Sequence, residues 1–411
     1  MNIDLRSLIK VTLLPVLLLA ATFYYIPVFT KDLPDVARLS LPYIPFILLA
    51  VGLGLSWAFH HSREFNLLLL FIVIYLALDK LIWHPIIKAD HQLAYLLIVT
   101  LIPLNFLYNY FSRERGISSQ YGIRRILFLA AQIFLIYWLL KNPLAEVTTY
   151  LNYSYYDFYI FEYTHISQPL LLLIAISTII FIFRLLRKTE VLISGLTASF
   201  IAMMTAVQLS QHPQVATIFI ILAELIIIIS ITFNAYFLAY LDELTNLPSR
   251  RALMQSISTL GRRYTIAMVD VDHFKKFNDK YGHDVGDQVL KKLANNLRLV
   301  RGGKAFRYGG EEFTILFPNK DIDEARLICE TLCKNVENDP FLLRDKSRPK
   351  DIKNHKDDVK NGKAIALTVT ISIGLAERSD ECPKANQVIK RADKALYKAK
   401  SNGRNQVSAT V

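Results

Sequence analysis

A bundle of about eight transmembrane helices, followed by one α/β domain on a central, mostly antiparallel sheet, is the fold class this sequence predicts. Three observations lead there. Of 411 residues, 53% are hydrophobic and the mean hydropathy is positive, more apolar than an ordinary soluble chain of this length. That excess is confined to residues 1–240. Residues 241–411 instead alternate short β-rich runs with amphipathic helical stretches, which suits one α/β domain.

The apolar cores run Leu8–Phe29, Leu41–Phe59, Phe65–Trp83, Leu93–Phe111, Ile126–Leu140, Pro169–Phe183, Val191–Leu209 and Gln214–Leu238. Each is read as crossing a hydrocarbon layer of about 30 Å, the fifth and sixth being short. No small-residue cleavage site follows Leu8–Phe29, so it is read as a retained helix rather than a leader. Loop charge sets the orientation. Arg6, Lys10, Arg63, Arg113, Arg115, Arg124, Arg125, Arg184, Arg187 and Lys188 fall on one side, against Lys31, Arg38, Lys88 and Lys141 on the other. By the positive-inside rule both termini are cytoplasmic, in a multi-pass protein of a bacterial inner membrane. The same rule absorbs much of the net charge of +12, so nucleic acid is not an expected partner.

Two features of this half invite a role in sensing. Residues 141–168 carry Tyr150, Tyr153, Tyr155, Tyr156, Phe158, Tyr159, Phe161 and Tyr163, read as an interfacial aromatic belt in preference to a ligand lid. Glu224 lies near the midplane of the last span, where an acid is costly. It is expected either to hydrogen-bond Gln132 or Asn105, or to sense and couple a cue. Asp79 and Lys80, near the outer end of the third span, are expected to snorkel.

Polar sequence starts directly after Tyr240, with no flexible linker. Thr265–Val271 reads as a buried strand, Gly286–Val300 as a helix, Ile322–Val336 as a helix, Ile365–Leu375 as a strand and Asn386–Ala399 as a helix. Cys329 and Cys333, four apart in a helical pattern without a nearby histidine, suit a structural thiol pair rather than metal. Between the first two helices lies Arg307-Tyr308-Gly309-Gly310-Glu311-Glu312-Phe313, flanked by Lys304–Tyr308 and Phe313–Phe317. It reads as a tight hairpin carrying carboxylates, either a cation site or a merely solvated turn.

The rest of the domain weighs on that choice. Val269-Asp270-Val271-Asp272 closes the first strand in acids. One carboxylate from each strand end, with substrate phosphates, is a common way to hold Mg²⁺, which seldom receives an all-protein cage. Lys400 and Arg404 flank Asn402-Gly403 and can neutralise a polyphosphate.

Together these residues resemble the GGDEF family of diguanylate cyclases in its GGEEF variant, over about Asp242 to Gln406. The resemblance rests on Asp242-x-Leu244-Thr245-x-Leu247-x-x-Arg250-Arg251 and Asp270-Val271-Asp272-His273-Phe274-Lys275-Lys276-Phe277-Asn278-Asp279. Gly282-His283-Asp284-x-Gly286-Asp287, the hairpin, Thr370-Ile371-Ser372-Ile373-Gly374 and Arg391-Ala392-Asp393-x-Ala395-Leu396-Tyr397 complete it.

It implies a palm-like nucleotidyl-cyclase fold that condenses two GTP into cyclic di-GMP and two pyrophosphates. Asp270 and Glu311 would then hold Mg²⁺ (or Mn²⁺) with the Val271 carbonyl, and Glu312 would serve the metal or activate the 3′-hydroxyl. Asn278 and Asp287 would read guanine. His273, Phe274, Lys275, Lys400 and Arg404 would line the phosphates, with Gly309 and Gly310 close to the nucleotide. Since one domain holds one GTP, a homodimer is implied, with the membrane half as dimeriser and receiver of an unknown sensory ligand. A catalytically dead GTP receptor and a transporter with a regulatory head are the competing readings.

Two departures stand out. The family's product-inhibition site needs Arg-x-x-Asp where this chain has Val300-Arg301-Gly302-Gly303, so no such site is expected. The basic stretch Leu342–Lys363 is longer than the family's usual connection and is read as a loop, with contact to membrane lipid as the alternative.

Overall fold

The computed structural model describes residues 5–31, 34–85, 91–143, 166–187, 190–344, 364–380 and 382–410, with isolated positions between 144 and 165. The chain divides into two compact units, Met1–Ala235 and Tyr236–Val411.

The first unit is helical: α1 Leu5–Lys31, α2 Asp35–Ser40, α3 Ile44–Ala58, α4 Ser62–Ala77, α5 His91–Phe111, α6 Gln120–Lys141, α7 Gln168–Arg187, α8 Val191–Gln208 and α9 Pro213–Tyr240, whose end from Tyr236 belongs to the second unit. A 3-10 turn at Leu41–Tyr43 joins α2 to α3, and a π-turn at Leu78–Trp83 prolongs α4. Among the described residues, seven segments are long and apolar enough to cross a membrane: Asp35–Ala58, Ser62–Trp83, α5, α6, α7, α8 and α9. In α1 the described apolar part is the shorter Thr12–Ile26. Both segments read from the sequence as short, the fifth and sixth, are full helices here.

Side chains account for several differences from expectation. Arg125, counted above as a loop charge, is fully buried within α6. Its guanidinium donates to the Ser62 and Ser112 hydroxyls and to the Arg113 carbonyl. Glu114 completes the knot by accepting from the Ser62 and Arg63 amides. Buried charge survives only with such partners. Asp79 pairs with Lys80 at 2.7 Å and His84 at 2.9 Å. Gln132, offered above as a partner for Glu224, instead accepts from Asn105 at 2.7 Å. Glu224 is fully buried, and neither of its oxygens has a hydrogen-bond partner among the described residues. Most of the aromatic stretch 141–168, together with Lys88 and Lys188, lies outside the described residues.

The second unit continues with α10 Arg250–Ser258, β1 Tyr264–Val271, α11 Phe274–Tyr281, α12 His283–Arg298, β2 Lys304–Gly309, β3 Glu312–Pro318, α13 Ile322–Glu337, β4 Phe341–Arg344, β5 Ala364–Leu367, β6 Ile371–Glu377, α14 Ala385–Ser401 and β7 Val407–Thr410. The main sheet has the order β2-β3-β1-β6-β7, antiparallel except for the parallel β6–β7 pair. A mixed sheet with a mostly antiparallel centre is therefore what the sequence pattern leads to. The expected single strand Ile365–Leu375 is in fact two. Residues 368–370 break it, and β5 pairs with β4 in a separate two-stranded sheet. Leu342–Arg344 belongs to β4, while residues 345–363 of the basic stretch lie outside the described residues.

Strand alternation assigns the two faces. Ala267, Val269 and Val271 pack with Phe313, Ile315, Ile373 and the apolar stripes of α12 and α13. Cys329 and Cys333 are free thiols in this layer, and burial pushes Cys333 up to about 12. Ile266 and Met268 face the other way, onto α10 and α14 through Leu253, Ile257, Val388, Ala392 and Leu396. A Cβ at Gly374 would lie 2.0 Å from the Leu396 nitrogen, so glycine is what lets α14 close onto β6. Asp270, on the same face as Met268, consequently points toward α14.

Candidate active site

Asp270 lies at the end of β1 and is 4% exposed. Strand register pairs it with Glu312 of β3 on one side and Ser372 of β6 on the other. The Lys400 ammonium, in the last turn of α14, lies 2.8 Å from its Oδ1. Glu311 and Glu312 are half-buried at the hairpin. Burial raises the carboxyls of Asp270, Glu311 and Glu312 above their ordinary range. The ionised Asp270 raises both glutamates further, and Asp393 of α14 adds to the push on Asp270 and Glu312. Lys400 pulls all three down.

A crowd of raised carboxylates, relieved by one cation, fits a divalent metal. Among the described residues no three His, Cys, Asp or Glu side chains converge on one point. That suits Mg²⁺, whose remaining ligands are usually phosphate oxygens and water.

The hairpin is held from behind. Arg307 donates to the Gly310 carbonyl through Nε and Nη2, at 3.1 and 2.6 Å. Its Nη1 reaches Asp242 Oδ1 at 2.8 Å. Asp242 also accepts from the Thr245 amide and hydroxyl. Arg250 stacks 4.4 Å over the Tyr308 ring. The segment 242–251 thereby braces the turn, leaving Gly309 and Gly310 exposed at its tip.

Beyond β1 the chain turns sharply, with His273 in the left-handed region (φ 57°). Phe274 is buried, its ring stacked on Phe277, whereas His273 and Lys275 are exposed. Asn278 of α11 faces Gly286 of α12, where an added Cβ would lie 1.9 Å from Asn278 Oδ1. That oxygen is buried with no hydrogen-bond partner among the described residues. An unpaired acceptor in a notch that only glycine leaves open calls for an outside donor. Asp287 follows Gly286 on the same helix and is exposed.

The sequence-expected residues thus fall into two groups, Asp270 with Glu311, Glu312 and Lys400, and Asn278 beside Gly286 and Asp287. Val271 continues β1, its side chain in the core and its partner Ile371. Arg404 is exposed on the turn after α14. Lys400, expected at a phosphate, lies on Asp270. Sequence reasoning missed the field of Asp393, the Arg307–Asp242 brace, the notch at Gly286 and the bonds of Asp272. Only Gly286 left a local trace, a glycine inside an otherwise regular helical pattern.

Residues 239–406 match the family model described as "Diguanylate cyclase, GGDEF domain". The response regulator PleD of Caulobacter vibrioides is 36% identical over 181 residues, 41% of this chain and 36% of that protein. The diguanylate cyclase VdcA of Vibrio cholerae is 36% identical over 174 residues, 41% of this chain and 46% of that protein. The solved coiled coil and GGDEF domain of DgcB from Caulobacter crescentus, in complex with c-di-GMP, is 31% identical. It covers 44% of this chain and 90% of that one, at a TM-score of 0.36. The chain spans 36% to 46% of the length of these two curated relatives.

Proposed function

We propose that this chain, whose residues 239–406 are a GGDEF domain, is a membrane-bound diguanylate cyclase acting as a homodimer. It condenses two GTP into cyclic di-GMP, and the helical unit, embedded in a bacterial inner membrane with both termini cytoplasmic, receives the cue. One observation carries the reading. Asp270 sits in register with Glu312 on neighbouring strands, with an ammonium at 2.8 Å already marking the place for positive charge.

The chemistry asks for a 3′-oxygen to attack an α-phosphorus while pyrophosphate leaves, twice, between two facing protomers. Asn278 Oδ1 and the Asp287 carboxylate accept from N1–H and N2–H₂ of guanine, donors that adenine does not present together. Asp270, Glu311 and the Val271 carbonyl would hold Mg²⁺ (or Mn²⁺). When bound, that cation supplies charge neutralisation at the reacting phosphate and at the leaving pyrophosphate. Glu312, made more basic by burial and Asp270, is suited to accept the 3′-hydroxyl proton or to add to the cation site. Lys400 exchanges Asp270 for the phosphates, joined there by Arg404 and by His273, Phe274 and Lys275 at the start of α11. Gly309 and Gly310 leave the hairpin tip bare, so the nucleotide can approach the backbone.

Incubating the full-length protein in detergent or nanodiscs with GTP and Mg²⁺, then separating nucleotides by chromatography, tests this directly. Cyclic di-GMP and pyrophosphate in a 1:2 ratio are expected. A verified dimer that forms none refutes the proposal.

A further inference from the structure

Asp272 is 8% exposed and has no part in the reaction described above, yet both of its carboxylate oxygens are hydrogen-bonded. Oδ1 accepts from the Ser372 hydroxyl at 2.7 Å. Oδ2 accepts from the Thr370 hydroxyl at 2.8 Å and from the Asn405 amide at 3.0 Å. The Asp272 amide donates to the Thr370 carbonyl at 2.9 Å, so main chain and side chain grip the same strand entry.

The Asn405 bond reaches the turn that carries Arg404. Gly403, Arg404 and Asn405 are consecutive residues in the left-handed region, with φ of 111°, 64° and 46°. Two of these are not glycine, and such a conformation persists only where surrounding bonds impose it. Two bonds do so here, the Arg404 amide to the Ala399 carbonyl at 3.1 Å and the Asn405 amide to Asp272. The second ties the turn to the end of β1, and one residue later the Gln406 carbonyl accepts from the Ile373 amide of β6 at 3.0 Å. A second polar tie is the Lys400–Asp270 ion pair, beside the packing of α14 on Ile266 and Met268 of β1.

We propose that Asp272 is a positioning residue for the triphosphate. By holding the Asn405 amide it fixes the strained 403–405 turn, and with it Arg404, beside the end of β1 when Lys400 leaves Asp270. This rests on the cyclase reading above. Its specific content is that Asp272 acts through Arg404 on phosphate binding and leaves guanine binding alone.

Binding of 3′-deoxy-GTP, which cannot cyclise, and of 3′-deoxy-GMP to the full-length protein in nanodiscs with Mg²⁺ separates the possibilities. Asp272→Ala is expected to weaken 3′-deoxy-GTP about tenfold, the scale of one charge-assisted hydrogen bond, and 3′-deoxy-GMP by less than about twofold. Asp272→Asn is expected to bind 3′-deoxy-GTP within about threefold of wild type. Its amide oxygen can still accept from Asn405 while its amino group donates to the rotatable Ser372 hydroxyl. The double variant Asp272→Ala/Arg404→Ala should be no weaker than Arg404→Ala alone. Equal losses for both ligands, additive losses in the double variant, or unchanged 3′-deoxy-GTP binding by Asp272→Ala each overturn the inference while the cyclase reading stands. If Asp272→Ala fails to fold, an Asp272→Asn protein that folds but loses both ligands together overturns it equally. Failure of the wild type to bind 3′-deoxy-GTP overturns both.

Discussion

Glu312 shows how the site trades stability for chemistry. Burial raises its carboxyl, and the Asp270 and Asp393 charges raise it further. A folded state that holds this proton more tightly than the unfolded chain loses stability as pH rises through the window from the ordinary glutamate value to the raised one. Replacing Glu312 by Gln removes that loss. We expect its melting temperature at pH 7.5 to exceed wild type, with the gain vanishing near pH 4, while cyclic di-GMP formation falls by about 10²-fold or more. A calorimetric pH series beside activity measurements checks both halves. At the same scale, Asp287→Ser should relax selection for GTP over ATP by about tenfold, since one charged acceptor for guanine is lost. Competition between the two triphosphates reads this, and unchanged preference would remove Asp287 from the base site.

Elements put these residues in place, and some of that placement was legible beforehand. The short apolar run Thr265–Val271 and the stripe of Val289, Leu290, Leu293 and Leu297 already specify a buried strand and the helix that covers it, as found in β1 and α12. The Gly309–Gly310 hairpin likewise followed from turn chemistry. Asp272 was not legible as a clamp, because Thr370, Ser372 and Asn405 lie 98, 100 and 133 positions away. No local period reports such partners. Residues 368–370 were also misread, since an apolar run carries no mark for leaving one sheet and entering another. The α11–α12 notch gives an element-scale prediction. Gly286→Ala places a methyl 1.9 Å from Asn278 Oδ1 and 3.1 Å from the Phe274 ring. Asn278 has to swing away, so the KM for GTP should rise about tenfold with only a small change in melting temperature, measured by steady-state kinetics and thermal unfolding.

At the scale of the whole molecule, α9 runs from Pro213 to Tyr240 and the bracing turn begins at Asp242. A displacement of α9 would therefore have a short covalent route to the hairpin. Control by product looks different. A Cβ at Gly303 would fall 2.6 Å from the Phe317 ring and 2.7 Å from Ile315, so the position that lacks the family's acid is also sterically closed to one. Titration with cyclic di-GMP is expected to give no tight noncompetitive inhibition. Gly303→Asp should destabilise the protein without installing it, as thermal unfolding and the same titration would reveal.

The ammonium of Lys400 on Asp270 makes the protein its own stopper. A bare divalent ion would compete with that tethered charge for the same carboxylate. A triphosphate offers that charge a new berth at the moment the ion needs its old one. Metal and nucleotide are accordingly expected to load together, with Mn²⁺ binding weaker to the nucleotide-free protein than in the presence of 3′-deoxy-GTP, as calorimetric titration would show.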